Sequence, residues 1–163
     1  MTITEKIKRS QIRSFLDVDP GYQDWALIGD GVTNAQIDMN PEVEQETYIH
    51  EDNSSAEIER YAPTMGIEAS AKKGDDAFEF VDELRINRAV LHAAHTQVVN
   101  VWLYKEPTEA NTYPAELQDV TIAVESAGGE GGTPSKINYT IYYRGDPVKG
   151  TFNVETLTFT PDS

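Results

Sequence analysis

Hydrophobic and polar residues alternate most clearly between residues 114 and 153. Val120, Ile122 and Val124 alternate with polar or small residues, and the same period returns over residues 137–143. Successive side chains of a strand point to opposite faces, so this pattern predicts two strands that are each buried on one side. A glycine-rich stretch at 128–132 separates them and predicts a turn. The two strands are therefore expected to pair as a hairpin.

A second, far more polar hairpin is predicted over residues 38–61. Pro41 precedes a first alternating stretch over residues 42–50. Residues 52–55 predict a turn, and residues 56–61 predict the second strand, which returns alongside the first. Two faces follow from the period: one with Val43, Gln45, Thr47 and Ile49, the other with Glu42, Glu44, Glu46, Tyr48 and His50.

One helix is predicted, beginning near residues 74–76. Asp76 and Glu79 have the spacing of a capping box, and Phe78, Val81 and Leu84 recur at the three-residue spacing of a helix face that packs against a sheet.

Further strands are expected over residues 97–104, 150–154 and 156–160. Residues 1–33 form a mixed N-terminal segment with turns at 19–21 and 29–31, and no repeat or linker divides the chain, so one domain spanning residues 1–163 is expected.

Charge is the strongest feature of the composition. The 28 acidic residues outnumber the 13 basic ones and give a net charge of −15. Lys6, Lys8, Arg9 and Arg13 stand against Glu5 alone, so residues 1–13 carry +3 and the remainder of the chain carries −18. Such a field repels polyanions, which argues against ordinary nucleic-acid binding. A solvated acidic face that keeps the protein soluble is the alternative explanation of the charge.

Several classes of site lack their residues. The chain has no cysteine, which excludes disulfides, thiolate metal sites and cysteine nucleophiles. His92 and His95 lack a third metal ligand at a recognisable spacing, and the loop after Asp17 lacks the closing glutamate of a calcium loop. The 128–132 glycines precede no helix and no Lys-Ser/Thr pair, so they are not a phosphate loop. No secretion signal and no stretch near the roughly 18 apolar residues of a membrane span occur. The sequence predicts neither an enzyme nor a cofactor nor a membrane partner.

The order of features in the C-terminal half resembles bacteriophage major tail proteins, the tail-tube subunits of siphophages. The features are a strand, a Gly-Gly-x-Gly-Gly loop, an Asn-Tyr-x-Ile-x-Tyr strand and a Gly-Asp-Pro-Val-x-Gly-Thr-Phe segment. Residues 25–33, 48–52 and 73–85 are similar to the early segment, the hairpin and the helix entry of that family. The resemblance implies a mainly β fold, an antiparallel β-sandwich or barrel flanked by one α-helix. It also implies hexameric rings stacked into a tube through which DNA passes during ejection.

The resemblance carries further expectations about partners and place. The chain would bind copies of itself, and a tape measure protein, a tail terminator and a distal tail protein would complete the tail. It would be made in the host bacterial cytoplasm and reside in the virion, with DNA passing without specific binding. Some members append an immunoglobulin-like domain after the tube domain, and none is expected in this chain.

Three groups of residues are candidates for roles in such a tube. Their shared property is exposed charge or polarity, and they comprise a lumen-facing set (Glu42, Glu44, Glu46), an inter-ring set (Lys6, Lys8, Arg9, Arg13) and an inter-subunit hairpin set (Glu51, Asp52, Asn53, Ser54, Ser55). A carbohydrate- or protein-binding β-sandwich module is the alternative function. Such a module would display clustered exposed aromatics, for which Tyr139, Tyr142 and Tyr143 are the candidates.

Overall fold

The computed structural model describes residues 4–162, and residues 1–3 and 163 lie outside it. Ten strands and one α-helix make up the described residues: β1 (Ile12–Asp17), β2 (Trp25–Leu27), β3 (Val32–Asp38), β4 (Pro41–Glu46), β5 (Ser55–Tyr61), β6 (Thr64–Ser70), α1 (Asp76–Ile86), β7 (His95–Trp102), β8 (Thr112–Gly128), β9 (Lys136–Asn153) and β10 (Thr158–Pro161). Short 3₁₀ turns at Arg9–Gln11 and Leu91–Ala94 precede β1 and β7.

Eight of the strands form one curled antiparallel sheet in the order β2-β1-β7-β8-β9-β6-β3, with β10 paired to β9. Strands β4 and β5 pair only with each other and form a separate two-stranded ribbon. The expectation of a mainly β antiparallel fold with one helix is confirmed. A hairpin does form within residues 38–61, but its first strand ends at Glu46 rather than at His50, and Asp38 belongs to β3.

Strands β8 and β9 form a hairpin that runs the length of the sheet, and this hairpin confirms the strongest sequence pattern. Its register runs from Thr112 opposite Asn153 to Gly128 opposite Lys136. Residues 145–147 bulge out of β9 opposite Gln118. The buried Gln118 amide donates to the carbonyl oxygens of Arg144 (2.6 Å) and Gly145 (3.1 Å). This side chain therefore bridges the bulge, and β9 continues through the break that Gly145 and Pro147 suggest in the sequence.

The core has two parts because β1 and β7 are buried on both faces. Leu16 and Val98 belong to the cluster between the sheet and the helix, whereas their neighbours Phe15 and Val99 belong to a second cluster. The second cluster centres on Phe152, whose ring lies 4.7 Å from that of Phe15. Alternate residues of one strand therefore fill opposite cores, which explains why β7 is apolar almost throughout.

The predicted helix is confirmed as α1. It buries Ala77 and Val81, with Phe78 and Leu84 partly buried against the same cluster. The N-cap is Asp75 rather than the predicted Asp76, and Glu79 accepts a hydrogen bond from the Gly74 amide at 3.0 Å. The acidic first turn still complements the helix dipole. No helix in residues 4–162 has the length and apolar character needed to cross a bilayer.

The N-terminal segment 1–33 contributes directly to the sheet. It contains β1, β2 and the first residues of β3, and β1 pairs with β7 from Ile12–Trp102 to Leu16–Val98. Asp17, the last residue of β1, accepts hydrogen bonds at its carboxylate from the backbone N–H groups of Asp19 (3.1 Å), Gln23 (3.2 Å) and Asp24 (3.1 Å). Its oxygens organise the loop to β2.

Candidate assembly surfaces

The β4–β5 ribbon displays carboxylates on one face. Glu44 and Glu46 line a shallow depression with Tyr48, Ser55 and Glu57, and every residue of both strands is exposed. We call this surface the acidic ribbon face, and it comprises Glu42, Glu44, Glu46, Glu57 and Glu59. Arg60 is the one cation on the ribbon that pairs with this face, and it forms an ion pair of 2.6 Å with Glu42.

Crowding on the acidic ribbon face perturbs one of its carboxyls. Hydrogen-bond contact with Glu59, and then with Glu46, raises the pKa of Glu44. A contact between two carboxyls requires a shared proton, so the face resists full ionisation. Repulsion among exposed carboxylates contributes nothing to folding, and the opposite ribbon face offers little compensation because Val43 and its partner Ile58 remain 52% and 54% exposed.

The turn that joins β4 to β5, residues 47–54, forms the ribbon tip. Its Ile49 is fully exposed, with its neighbours Tyr48 and His50 stacked at a ring distance of 6.3 Å. Glu51 is held locally, since it accepts a hydrogen bond from Ser55 Oγ at 3.2 Å and lies 3.6 Å from His50 Nε2. The tip therefore combines one apolar side chain with the carboxylates of Glu51 and Asp52. Asn53, Ser54 and Ser55 are exposed beside them.

The basic residues near the N-terminus border a groove. Its volume is about 370 Å³, and its walls come from the start of β1, the turn between β2 and β3, and β3 itself. Arg9 spans the groove: its guanidinium donates to the carbonyl of Ile12 and, at 2.9 Å, to that of Ala35. Arg13 lines the same groove, and Lys6 and Lys8 are exposed just before it. We call this surface the basic groove (Arg9, Ser10, Ile12, Arg13, Leu27, Ile28, Gly29, Val32, Thr33, Asn34, Ala35).

The outer face of β3, β6, β9 and β8 is a polar surface that sequence reasoning did not single out. Thr140 Oγ1 donates to Glu125 at 2.6 Å, and Asn138 donates to Ser126 at 3.0 Å. Asp38 and Glu68 lie on the same surface, and no Lys or Arg is among the residues that line it. The alternation over residues 137–143 could have predicted this polar surface. A strand that buries Tyr139 and Ile141 on one face must place Asn138 and Thr140 on the other.

The aromatic residues proposed for a binding module are mostly internal. Tyr139 is 3% exposed and Tyr143 is partly buried, so only Tyr142 presents its ring to solvent. His92 and His95 have their rings 5.1 Å apart, and no group of three potential metal ligands occurs within residues 4–162. Of the three tyrosines, Tyr142 is therefore the one that could contact a ligand at the surface.

Comparison with solved structures identifies the architecture. One match is a subunit in the tail of an empty GTA particle, whose structure was determined by helical refinement with C6 symmetry. The two chains are 12% identical, the match covers 95% of this chain and 99% of the other, and the TM-score is 0.65. Another is from the sheath/tube terminator of an extracellular contractile injection system, PVC, in the extended state, with 6% identity, coverage of 91% and 99%, and a TM-score of 0.54. The chain shares the fold of these two subunits. No protein-family model and no curated protein matches the chain.

The likeness is one of overall fold, since only 12% and 6% of the residues are identical. The acidic ribbon face, the ribbon tip and the basic groove therefore have to be judged on their own chemistry.

Proposed function

We propose that this chain is a structural, non-enzymatic subunit of a bacteriophage tail tube that assembles as stacked hexameric rings around a conduit for DNA. The observation that carries the proposal is the match to a tail subunit over nearly the whole length of both chains, 95% and 99%. That subunit belongs to a particle tail with C6 symmetry, which supports six copies in a ring.

Ring formation and stacking need contacts between different surfaces of the same chain. Such heterologous contacts close into a ring when the rotation closes and extend without limit when it does not. The chain presents surfaces of opposite sign for this purpose, since the basic groove and Lys6 and Lys8 contrast with a remainder of −18. In this proposal Lys6, Lys8, Arg9 and Arg13 act between rings, and the ribbon with its tip reaches a neighbouring subunit.

A conduit for DNA must keep phosphates off its wall. Acidic side chains achieve this by repulsion, because binding to DNA depends on cations that neutralise phosphates. We assign Glu42, Glu44 and Glu46 to the lumen because they lie on the acidic ribbon face, where Arg60 is the one cation. The polar outer face of the main sheet, with Asp38, Glu68 and Glu125, is the second candidate for the wall.

The proposed setting is the virion tail, with the protein made in the host bacterial cytoplasm. A tape measure protein, a tail terminator and a distal tail protein are the proposed partners at the inside and the two ends of the tube. No cofactor and no membrane enter the proposal.

Negative-stain microscopy of the purified protein at high concentration tests the proposed function. Rings or tubes with six-fold symmetry are the expected result. Particles that remain monomeric over the whole concentration range contradict it and favour the binding module instead. Glycan-array binding of the same sample then distinguishes that alternative, for which Tyr142 would be the exposed aromatic contact.

A further inference from the structure

The ribbon tip and the basic groove have complementary chemistry. The groove has partly exposed apolar residues in its floor, among them Leu27 at 42% exposure, and two guanidinium groups at its border. The tip has one fully exposed aliphatic side chain, Ile49, followed by Glu51 and Asp52. An apolar anchor flanked by carboxylates matches an apolar cavity flanked by arginines.

The arginines of the groove have no acidic partner within residues 4–162, and the tip's one ion pair, His50–Glu51, lies within the tip itself. Residues 4–162 contain four ion pairs, and neither Arg9 nor Arg13 takes part in one. The two hydrogen bonds of Arg9 go to backbone carbonyls, which fix its guanidinium across the groove and leave its charge without a counterion in this part of the molecule. No hydrogen bond or ion pair joins the tip to the groove within residues 4–162 of one copy.

We propose that the ribbon tip of one subunit inserts Ile49 into the basic groove of a second copy in the adjacent ring, with Asp52 and Glu51 facing Arg13 and Arg9. This inference rests on the proposed tail-tube function and specifies which surfaces join its rings. Tip and groove are different surfaces, so each copy donates a tip to one ring and accepts a tip from the other, and the contact propagates along the tube. The acidic ribbon face lies outside this contact and stays available to the lumen.

Cross-linking tests the contact directly, and the absence of native cysteine makes it specific. The variant Ile49→Cys/Leu27→Cys is assembled and treated with a short bifunctional maleimide. A ladder of covalent multimers is expected from tubes, and none from dispersed monomers. The matched control is Ile49→Cys/Val90→Cys, because Val90 is also exposed, at 70%, and lies in the loop after α1. Tubes that give no ladder overturn the inference, as does a cross-link that forms only within one chain.

A charge swap in the full chain provides the second test. Arg13→Glu and Asp52→Arg should each raise the critical concentration for tube formation about tenfold, and the double variant should restore it because the pair is re-formed with reversed sign. Lys105→Glu is the control for an exposed cation elsewhere and should have little effect. Circular dichroism of each monomer verifies folding.

The outcomes separate this inference from the function on which it rests. Wild-type protein that forms no ring or tube contradicts the proposed function. Wild-type tubes combined with unaltered assembly of both single variants overturn the tip–groove contact and leave the tail-tube function standing. Single variants that fail and a double variant that recovers support both.

Discussion

Asn100 donates a hydrogen bond from Nδ2 to the Tyr143 hydroxyl oxygen at 2.8 Å, across 43 residues of sequence. The Asn100 Oδ1 in turn accepts a hydrogen bond from Ser14 Oγ at 2.7 Å. The three residues lie on β7, β9 and β1, and both Ser14 and Asn100 are buried. Burial raises the pKa of Tyr143 to about 12, so its hydroxyl is neutral at physiological pH. A satisfied polar chain of this kind fixes the relative position of the three strands.

The change Tyr143→Phe should destabilise the monomer by about 1–3 kcal/mol. It removes the hydroxyl and leaves the buried Asn100 amide without its acceptor, and an unsatisfied buried donor carries that desolvation cost. Urea denaturation followed by circular dichroism measures the change. Tyr142→Phe, one residue away but 45% exposed, is the matched control and should change stability by less than about 0.5 kcal/mol. Equal losses for the two variants would contradict the importance of the Asn100 contact.

The parts of the fold that sequence predicted are those determined by neighbouring residues. Helix α1 follows from the spacing of Val81 and Leu84, and the β8–β9 hairpin from alternation on both sides of the 128–132 glycines. Strand β1 pairs with β7 about 86 residues away, as in Ser14 opposite Asn100, and no local pattern encodes that pairing. The basic groove depends on the same distant contacts because Arg9 reaches the carbonyl of Ala35 on β3.

The acidic face of the ribbon was predictable because it depends only on neighbouring residues of one strand. Glu42, Glu44 and Glu46 occupy alternate positions of one strand, so the period alone places them on one face. The bulge between Glu42 and Val43 was not predictable, because it depends on the register that β5 adopts against β4. That register positions Glu59 against Glu44 and creates the crowded carboxyl pair.

The ribbon should be more stable in mild acid than at neutral pH. Contact with Glu59 and Glu46 raises the pKa of Glu44 above its ordinary value of 4.5, so this carboxyl binds its proton more tightly in the folded ribbon than in the unfolded chain. The resulting stability is present below the ordinary pKa and is lost as pH rises through the raised pKa. Amide hydrogen exchange of β4 and β5, corrected for intrinsic rates, should show greater protection at about pH 4 than at pH 7. Glu44→Gln should reduce that difference, whereas Glu106→Gln, in an exposed loop, should leave it unchanged.

Removal of the N-terminal residues 1–8 should leave a folded monomer that assembles poorly. This deletion removes Lys6 and Lys8 but retains β1, whereas deletion of residues 1–13 would also remove Ile12 and Arg13 from their pairing with β7. Because the proposed attraction is between exposed charges, tube formation by the full chain should also weaken as salt rises. Sedimentation of tubes across a salt series measures both effects. Full-length tubes from the truncated chain would show that these lysines do not act between rings.

Proteolysis should distinguish the ribbon tip of the free subunit from that of the assembled tube. All residues of β4 and β5 are exposed, and the ribbon pairs with no other strand among residues 4–162, so it should open readily in the monomer. A glutamate-specific protease should cut after Glu51 in monomers and spare that site in tubes. Glu130 in the glycine-rich loop provides an internal comparison. Equal cleavage after Glu51 in both states would place the tip outside every subunit contact.

Reversal of charge on the acidic ribbon face should obstruct DNA passage without preventing assembly. The variant Glu42→Lys/Glu44→Lys/Glu46→Lys turns three negative charges on that face into three positive ones. Each added cation supplies a potential phosphate contact, so the proposed lumen of six copies should retain DNA and do so more strongly at low salt. Loss of the Glu42–Arg60 pair has little structural cost, since exposed ion pairs contribute about 0–1 kcal/mol. The measurement is the fraction of DNA ejected from particles that carry the variant.

The matched control is Glu106→Lys/Glu109→Lys/Glu130→Lys, which changes net charge equally at exposed loop positions. Retention by the ribbon variant alone would locate the effect on the acidic ribbon face, because a general increase in positive charge would act in both variants. Retention by neither variant, together with a tube map in which Glu42, Glu44 and Glu46 point outward, would reject the lumen assignment. The polar outer face of β3, β6, β9 and β8 would then be the remaining wall, and Glu68→Lys/Glu125→Lys would be the variant expected to retain DNA.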